Sequence, residues 1–360
     1  MNKIKKQAFR LVVLFCLVLA NVGLLGTIPN PGSSQSTLNR STFSCTSVTE
    51  ITPVECAALV AIYNSVGAIP NWLNSNLPCT QWPGVGCNFN NEHVISLYIS
   101  GTSLAGSLPS QLGDLAYLQH LSVTGTHLTG SIPSTVSNLS QLAGVTISGN
   151  LISGSIPAAL GSLSQLTLID LSGNQLTGSI PSQLGSLTNL LQLYLQNNQL
   201  SGSIPAQLAN LSNLVVLALE GNQLSGSIPP ELGNLTNLAW GLRLSNNQLS
   251  GSIPSTFGNL TKLTDLELGT NQLTGGVPSE LGNMTVLADL YIDHNPLSGS
   301  LPVVLDKLKL YYFYFNNTNL CKPNNPEFLT WLGKILNMRG TDEICGSQTP
   351  YKIFLPAVVR

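Results

Sequence analysis

"NQLSGSIP" occupies Asn198–Pro205, and the same eight letters return at Asn222–Pro229 and Asn247–Pro254. "NQLTGSIP" at Asn174–Pro181 differs from them by one methyl group. The proline of this element belongs to a longer series: Pro109, Pro133, Pro157, Pro181, Pro205, Pro229, Pro254, Pro278 and Pro302. The step is 24 residues, broken once by a step of 25. A fixed period of this length marks a chain built from stacked, near-identical coils.

Within each period runs L-x-x-L-x-L-x-x-N-x-L. Its central apolar pair is Leu97/Ile99, Leu121/Val123, Val145/Ile147, Ile169/Leu171, Leu193/Leu195, Leu217/Leu219, Leu242/Leu244, Leu266/Leu268, Leu290/Ile292 and Phe313/Phe315, which predicts ten coils. Alternation over so few residues predicts a short strand. Successive strands must pair in parallel, because the chain runs the same way in each coil. One coil cannot bury its apolar face alone; stacked neighbours make a continuous core.

The other letters have separate reasons. Asn150, Asn174, Asn198, Asn222, Asn247, Asn271 and Asn295 stand where the chain leaves the strand. Backbone groups turning inside a dry core still need partners, and an inward amide offers two donors and an acceptor. Thr102, Thr126 and Thr318 hold that position in the end coils, where a hydroxyl serves more weakly. The Gly of G-S-I-P permits a bend and its Ile points inward. The Pro, lacking an N–H, is expected to hold a second extended stretch on another face. S-x-L-G-x-L predicts a short helical turn after it.

These residues resemble a known family. "LSGSIPPELGNLTNL" at Leu224–Leu238 is similar to the plant-specific, 24-residue class of leucine-rich repeats. That class builds the ectodomains of plant receptor kinases and the polygalacturonase inhibitors, and it occurs in secreted bacterial proteins. The resemblance spans about Cys56–Cys345 and implies an α/β repeat fold. The expected form is a right-handed leucine-rich-repeat solenoid with a concave parallel sheet and a disulfide-bearing cap at each end. It implies binding as the function and leaves the ligand open, since function sits on what decorates a fold.

The N-terminal cap of the class is matched at Glu55–Cys87 by a helix around Cys56–Asn64, by Trp72, and by Cys79-x-x-Trp82-x-Gly84-Val85-x-Cys87. The match implies a Cys79–Cys87 bridge, leaving Cys45 for Cys56, with Cys56–Cys79 open as an alternative. At the other end Pro326 and Glu327 open a capping helix in which Phe328, Trp331, Leu332, Ile335 and Leu336 fall at helical spacing. A Cys321–Cys345 bridge would close it. The expected divisions are a signal peptide over 1–20 (alternatively ending near 26), a linker over 21–44, the caps over 45–92 and 321–345, the repeats over 93–320 and a tail over 346–360.

The signal is read from Lys3, Lys5, Lys6 and Arg10 before "LVVLFCLVLA" at Leu11–Ala20, with small residues for cleavage after Ala20. Six cysteines then remain, an even number that suits disulfides in an exported chain. No second apolar run of about 20 residues predicts a transmembrane helix. Secretion or display at the cell surface is therefore expected, as a monomer.

Composition narrows the function. Only 8% of the residues are charged, against about 25% in an average chain. Between Cys45 and Thr261 the one Lys or Arg is Arg243. A nucleic-acid binder needs a basic face for phosphates, so that class is excluded. No G-x-S-x-G, H-E-x-x-H or P-loop is present, which predicts a non-enzyme with no cofactor and no metal site. Calcium among Asp265, Asp289 and Asp293 is the one metal arrangement the spacing permits. Five of the N-x-S/T sequons, at Asn138, Asn210, Asn234, Asn259 and Asn283, repeat one turn position.

What varies from coil to coil lies beside the apolar pair, on the concave face. Early coils place Ser96, Ser100, Ser122, Thr124, Thr146 and Ser148 there. Later coils place Glu220, Arg243, Asp265, Glu267, Asp289, Tyr291, Asp293, His294, Tyr312 and Tyr314. Strands about 4.8 Å apart would merge these into one acidic, aromatic patch. Rigid tyrosines give contact area and charges give specificity. The extra residue of the 25-residue step falls at Trp240-Gly241, which predicts a bulge and sets Trp240 outward as a partner anchor. A protein or cell-surface ligand is the expected partner. Carbohydrate binding, or inhibition of a wall-degrading enzyme, is the alternative.

Overall fold

A computed structural model describes residues 43–346. The expected signal peptide, and all but the inner ends of the expected linker and tail, lie outside the described residues.

The ten coils are present. Each gives one strand to a twelve-stranded sheet whose order follows the chain, from Val85–Cys87 to Asn337–Arg339. The first pair is antiparallel, with Val85 opposite Leu97. The others are parallel, in a register that sets Leu193 between Ile169 and Leu217. Inward residues therefore stack in columns. In one coil Leu187, Leu190, Leu193, Leu195, Leu200, Ile204 and Leu208 are all buried. Each such side chain is worth roughly 1.5–3 kcal/mol when fully buried, a gain that exists only once the neighbouring coils cover it. The eleventh parallel strand, Asn337–Arg339, comes from inside the C-terminal cap. Its three residues carry no alternation to announce it; Tyr312–Tyr314 templates it as the next edge.

The asparagines form the expected ladder. Asn174 Nδ2 donates to Leu171 O and Ser172 O of its own coil, each at 3.1 Å, and to Ile147 O of the coil before at 2.6 Å. Its Oδ1 accepts from the Ile152 N–H at 3.2 Å. Thr126 caps the ladder by donating its hydroxyl and its N–H to Asn150 Oδ1, and Thr318 Oγ1 donates to Phe315 O at 2.7 Å. Thr102 corrects the reading. Its side chain is exposed, and only its carbonyl takes part, accepting from His127 Nδ1 at 2.6 Å. The N-terminal cap covers that end of the stack, so no earlier repeat carbonyl needs its hydroxyl.

The second extended stretch also falls differently. The ladder residues precede the Ile-Pro pair: Gln223–Ser227, Gln248–Ser252 and Gln272–Thr274 pair in parallel, with Ser201–Gly202 at the edge. Pro205 (φ −66°, ψ 127°) instead caps the 3-10 turn Ala206–Asn210. A residue with no N–H cannot continue a ladder but loses nothing at a helix start. Gly202, at φ 77°, makes the bend. The 3-10 turns stack coil on coil, and the five repeat sequon asparagines are exposed at their ends.

At the N-terminal cap the helix runs Pro53–Val66, longer than Cys56–Asn64 at both ends. Thr52 and Glu55 form a capping box with Pro53 in the first turn, which fixes the earlier start. Glu55 is 2% exposed, and its Oε1 also accepts from the Val94 N–H at 3.0 Å, joining the cap to the first coil strand. The bridges are Cys45–Cys56, Cys79–Cys87 and Cys321–Cys345, so the Cys56–Cys79 alternative is not the one formed. The C-terminal helix is shorter than its spacing suggested. It ends at Leu332 with Gly333 as its cap, and Leu336 beyond it is 76% exposed. Ile335 and Leu336 are the turn into the last strand, not helix.

Candidate functional site

The later strands bring the varied residues together as expected. Asp265 lies beside Asp289, Glu267 beside Tyr291, Asp289 beside Tyr312 and Tyr291 beside Tyr314. Arg243 pairs with Glu267 one strand earlier. The patch divides into three parts with different chemistry.

The first is a half-buried ion cluster. Arg243 Nε is 2.9 Å from Asp265 Oδ2 and 3.3 Å from Glu267 Oε1. It reaches both because Gly241 has no side chain; a Cβ there would sit 3.2 Å from Arg243 Nε. With Glu220, three carboxyl groups share one guanidinium. Burial dominates their titration. It pushes Glu267 up to about 7, helped by the Asp265 charge and opposed by Arg243. It raises Asp265 as well, outweighing the pull of Arg243, and it raises Glu220. Asp265 Oδ1 and Glu220 Oε2 are buried without a fixed donor. The Asp265 charge in turn helps to hold the proton on Glu267.

The second part is aromatic. Tyr291 and Tyr314 meet edge to face at 5.1 Å, and Tyr291 stacks near Tyr312 at 6.1 Å. Tyr311 packs on Tyr312, and the Arg339 guanidinium lies 4.9 Å over the Tyr314 ring. Burial, then the charge of Asp289, raises the Tyr291 phenol, so it remains a neutral hydrogen-bonding group. The third part is a polar chain: His294 Nδ1 lies 2.7 Å from Asp293 Oδ2, and Asn317 Nδ2 donates to His294 Nε2 at 2.6 Å. A proton on Nδ1 satisfies both contacts.

Trp240 sits apart from these pairs and is 40% exposed. The extra residue is taken up there: Gln192 pairs with Val216 24 residues on, whereas Val216 pairs with Gly241 25 residues on, so the strand start slips by one past Trp240. The calcium arrangement is not assembled. Asp265 faces Arg243 and Asp293 faces His294. Among the described residues no group of three or more His, Cys, Asp or Glu is placed to hold a metal ion.

Sequence reading missed Gly269, Tyr311, Asn317 and Arg339, and it read Gly241 for the bulge alone, not for the room it leaves beside Arg243. The glycines had a signal. Gly269 stands in a column occupied elsewhere by Ser172, Gln196, Glu220, Ser245 and Asp293, and a missing side chain in such a column is itself a feature. Arg339 had none, because its strand was unread.

Repeating coils, inward leucine columns and an asparagine ladder define a leucine-rich-repeat protein, and the chain belongs to that family. Leucine-rich-repeat family models match residues 116–176 and 236–297, and residues 189–211 and 213–235. A probable leucine-rich-repeat receptor-like serine/threonine-protein kinase of Arabidopsis thaliana is 39% identical over 51 residues, 14% of this chain and 8% of that protein. A plant ice-binding protein of known structure is 30% identical with a TM-score of 0.69, covering 83% of this chain and 100% of that one. The Arabidopsis receptor kinase HAESA, solved with the peptide hormone IDA and the co-receptor SERK1, is 33% identical with a TM-score of 0.64. That match covers 80% of this chain and 53% of HAESA. The chain thus spans about half of one relative and a small part of the other kinase. Among the described residues no helix is long and apolar enough to cross a membrane.

Proposed function

We propose that this chain is a secreted, non-enzymatic member of the 24-residue, plant-type class that binds a protein or peptide ligand on the face of its long sheet. The binding surface is the patch of Glu220, Arg243, Asp265, Glu267, Asp289, Tyr291, Asp293, His294, Tyr312 and Tyr314, with Trp240 as an outlying anchor. One observation carries this reading. Charge and half-buried tyrosine rings gather on consecutive strands of one face, although only 8% of the chain is charged. The capture of a peptide hormone by HAESA supports it. An acidic surface favours a basic protein partner over an acidic wall polysaccharide.

The test uses the full secreted chain as bait in the secretome of its source. A partner retained by the wild type and lost by Asp289→Ala, Tyr291→Ala and Glu267→Ala together supports the reading, provided circular dichroism shows the fold intact. Equal retention refutes it, and a glycan array scored in parallel reports the carbohydrate alternative.

A second reading has its own observation. Gln175, Gln199, Gln223, Gln248 and Gln272 are exposed at one repeat position, at or just before the start of the short second strands, giving a regular uncharged polar row. Such a row suits a repeating solid surface, and the similar plant protein binds ice. Inhibition of ice recrystallisation by the purified chain, lost when alternate glutamines become leucine, is the outcome this reading requires.

A further inference from the structure

Gly269 leaves a gap in the surface between the ion cluster and the tyrosines. A Cβ at this position would stand 2.7 Å from Asp293 Oδ1, so the Asp293 carboxylate lies over the place where a side chain would be. The gap opens as a recess of about 240 Å³ whose walls include Glu267, Tyr291, Asp293 and Tyr314. Drug-sized ligands need clefts of roughly 300–1,000 Å³, so this recess has room for one side-chain head and little more. Its chemistry is one-sided. Two carboxyl groups and two tyrosines line it beside the neutral Ser245, Asn246 and Thr270, with no basic side chain among them, and carboxylates and aromatic rings both favour a cation. The chain supplies an example of its own, with the Arg339 guanidinium on Tyr314 at 4.9 Å.

The neighbouring charge is also incomplete. Arg243 is the guanidinium that Glu220, Asp265 and Glu267 share, and Asp265 is only 9% exposed with an oxygen that has no fixed donor. We infer that this recess seats a single cationic side chain, arginine or lysine, presented by the partner that lies on the sheet face. The inference rests on the binding role proposed for that face and names the element the face recognises. The incoming cation displaces the proton held on Glu267, so that seating it releases a proton. Arg243, Asp265, Glu220, Asp289, Tyr291, Asp293 and Tyr314 are the charged or titratable groups around Glu267. Of these only Arg243 opposes its protonation by charge.

The experiment titrates the full chain with N-acetyl-arginine methylamide, its lysine counterpart and the neutral citrulline isostere, followed by calorimetry or NMR. The expected result is saturable binding of an arginine or lysine amide and none of citrulline. With Glu267 titrating at about 7, binding should be about ten-fold tighter near pH 8 than near pH 6. Glu267→Gln should weaken binding and flatten that dependence. Gly269→Ala should abolish binding by pushing the Asp293 carboxylate into the recess, with circular dichroism unchanged. Citrulline binding equally, affinity indifferent to pH, or a folded Gly269→Ala that binds as the wild type would each overturn the cation seat. A partner lost by the triple-alanine variant but indifferent to Gly269→Ala and to competing arginine amide overturns the seat while keeping the face. Loss of neither partner nor cation in any variant overturns both.

Discussion

Asn222→Ala tests how the coils are held together. The residue is 9% exposed. Its Nδ2 donates to Leu195 O and Leu219 O, each at 3.0 Å, and more distantly to Glu220 O at 3.4 Å. Its Oδ1 accepts from the Leu200 N–H at 3.0 Å. The two leucine carbonyls are not orphaned by truncation. Leu195 O keeps a bond from Asn198 at 3.1 Å and Leu219 O keeps one from Asn247 at 3.0 Å. Only the buried Leu200 N–H is left with no side-chain acceptor. That orphan costs about 1–3 kcal/mol, and each shared bond lost adds about 0.5–1. The sum is about 3 kcal/mol, less than counting four independent bonds would give. Asn213 is the control, since its Nδ2 also bridges coils, to Thr188 O at 2.8 Å, but in solvent. Asn213→Ala should cost under about 1 kcal/mol. Urea unfolding gives the total. Native-state hydrogen exchange localises it, because stability in a repeat array is a sum over neighbours and the Leu200 amide should lose protection first. A loss below about 1 kcal/mol for Asn222→Ala, with that amide still protected, would refute the ladder as the source of cohesion.

Two further outcomes follow from the caps and the charges. Glu267 holds its proton more tightly folded, near 7, than unfolded, at 4.5, so the stability this shift contributes is complete below the lower value and disappears as pH rises through the upper one. The thermal midpoint should therefore fall between about pH 5 and pH 8, and Glu267→Gln should shrink the fall; equal slopes would count against burial as the cause. Replacing Cys321 and Cys345 by serine opens a bridge of sequence separation 24, worth about 3 kcal/mol in the chain-entropy model. Exchange protection should be lost along Asn337–Arg339 and kept at Leu193, and a uniform loss over all coils would show that the cap is not a local unit.

The repeat was legible because each of its letters answers a local demand that recurs. Leu193 must face inward, Asn198 must satisfy a turn, Gly202 must bend, and the answer is the same in every coil. The cap was legible in its cysteines and less so in its ends. Thr52 and Glu55 are a capping box that spacing alone could have given, whereas the stop at Leu332 could not be read. Helical periodicity continues into Ile335 and Leu336, and only the pairing of Asn337–Arg339 with Tyr312–Tyr314 overrides it. Similarly, the strip of Asp265, Glu267 and Tyr291 was visible as a column of unusual residues. Its internal pairing was not, because Arg243 reaches Asp265 across an absent side chain at Gly241. A glycine in such a column marks a missing side chain, but residue types alone do not say which contact it admits.

The ion cluster also shows what the fold does not need. The position held by Asp265 and Asp289 is held by Gly144, Leu168, Gln192 and Val216 in earlier coils, which form the same sheet in the same register. An uncharged residue therefore suffices for a coil to stack. Placing Glu220, Asp265 and Glu267 around one guanidinium costs stability, since burial raises the pKa of all three and a buried ion pair often gains less than its desolvation loses. The repeat could have been continued without that cost. Residues that break a local rule without compensation inside the fold are expected at sites where a ligand supplies it, and a cation arriving at the Gly269 recess is the compensation these carboxylates lack.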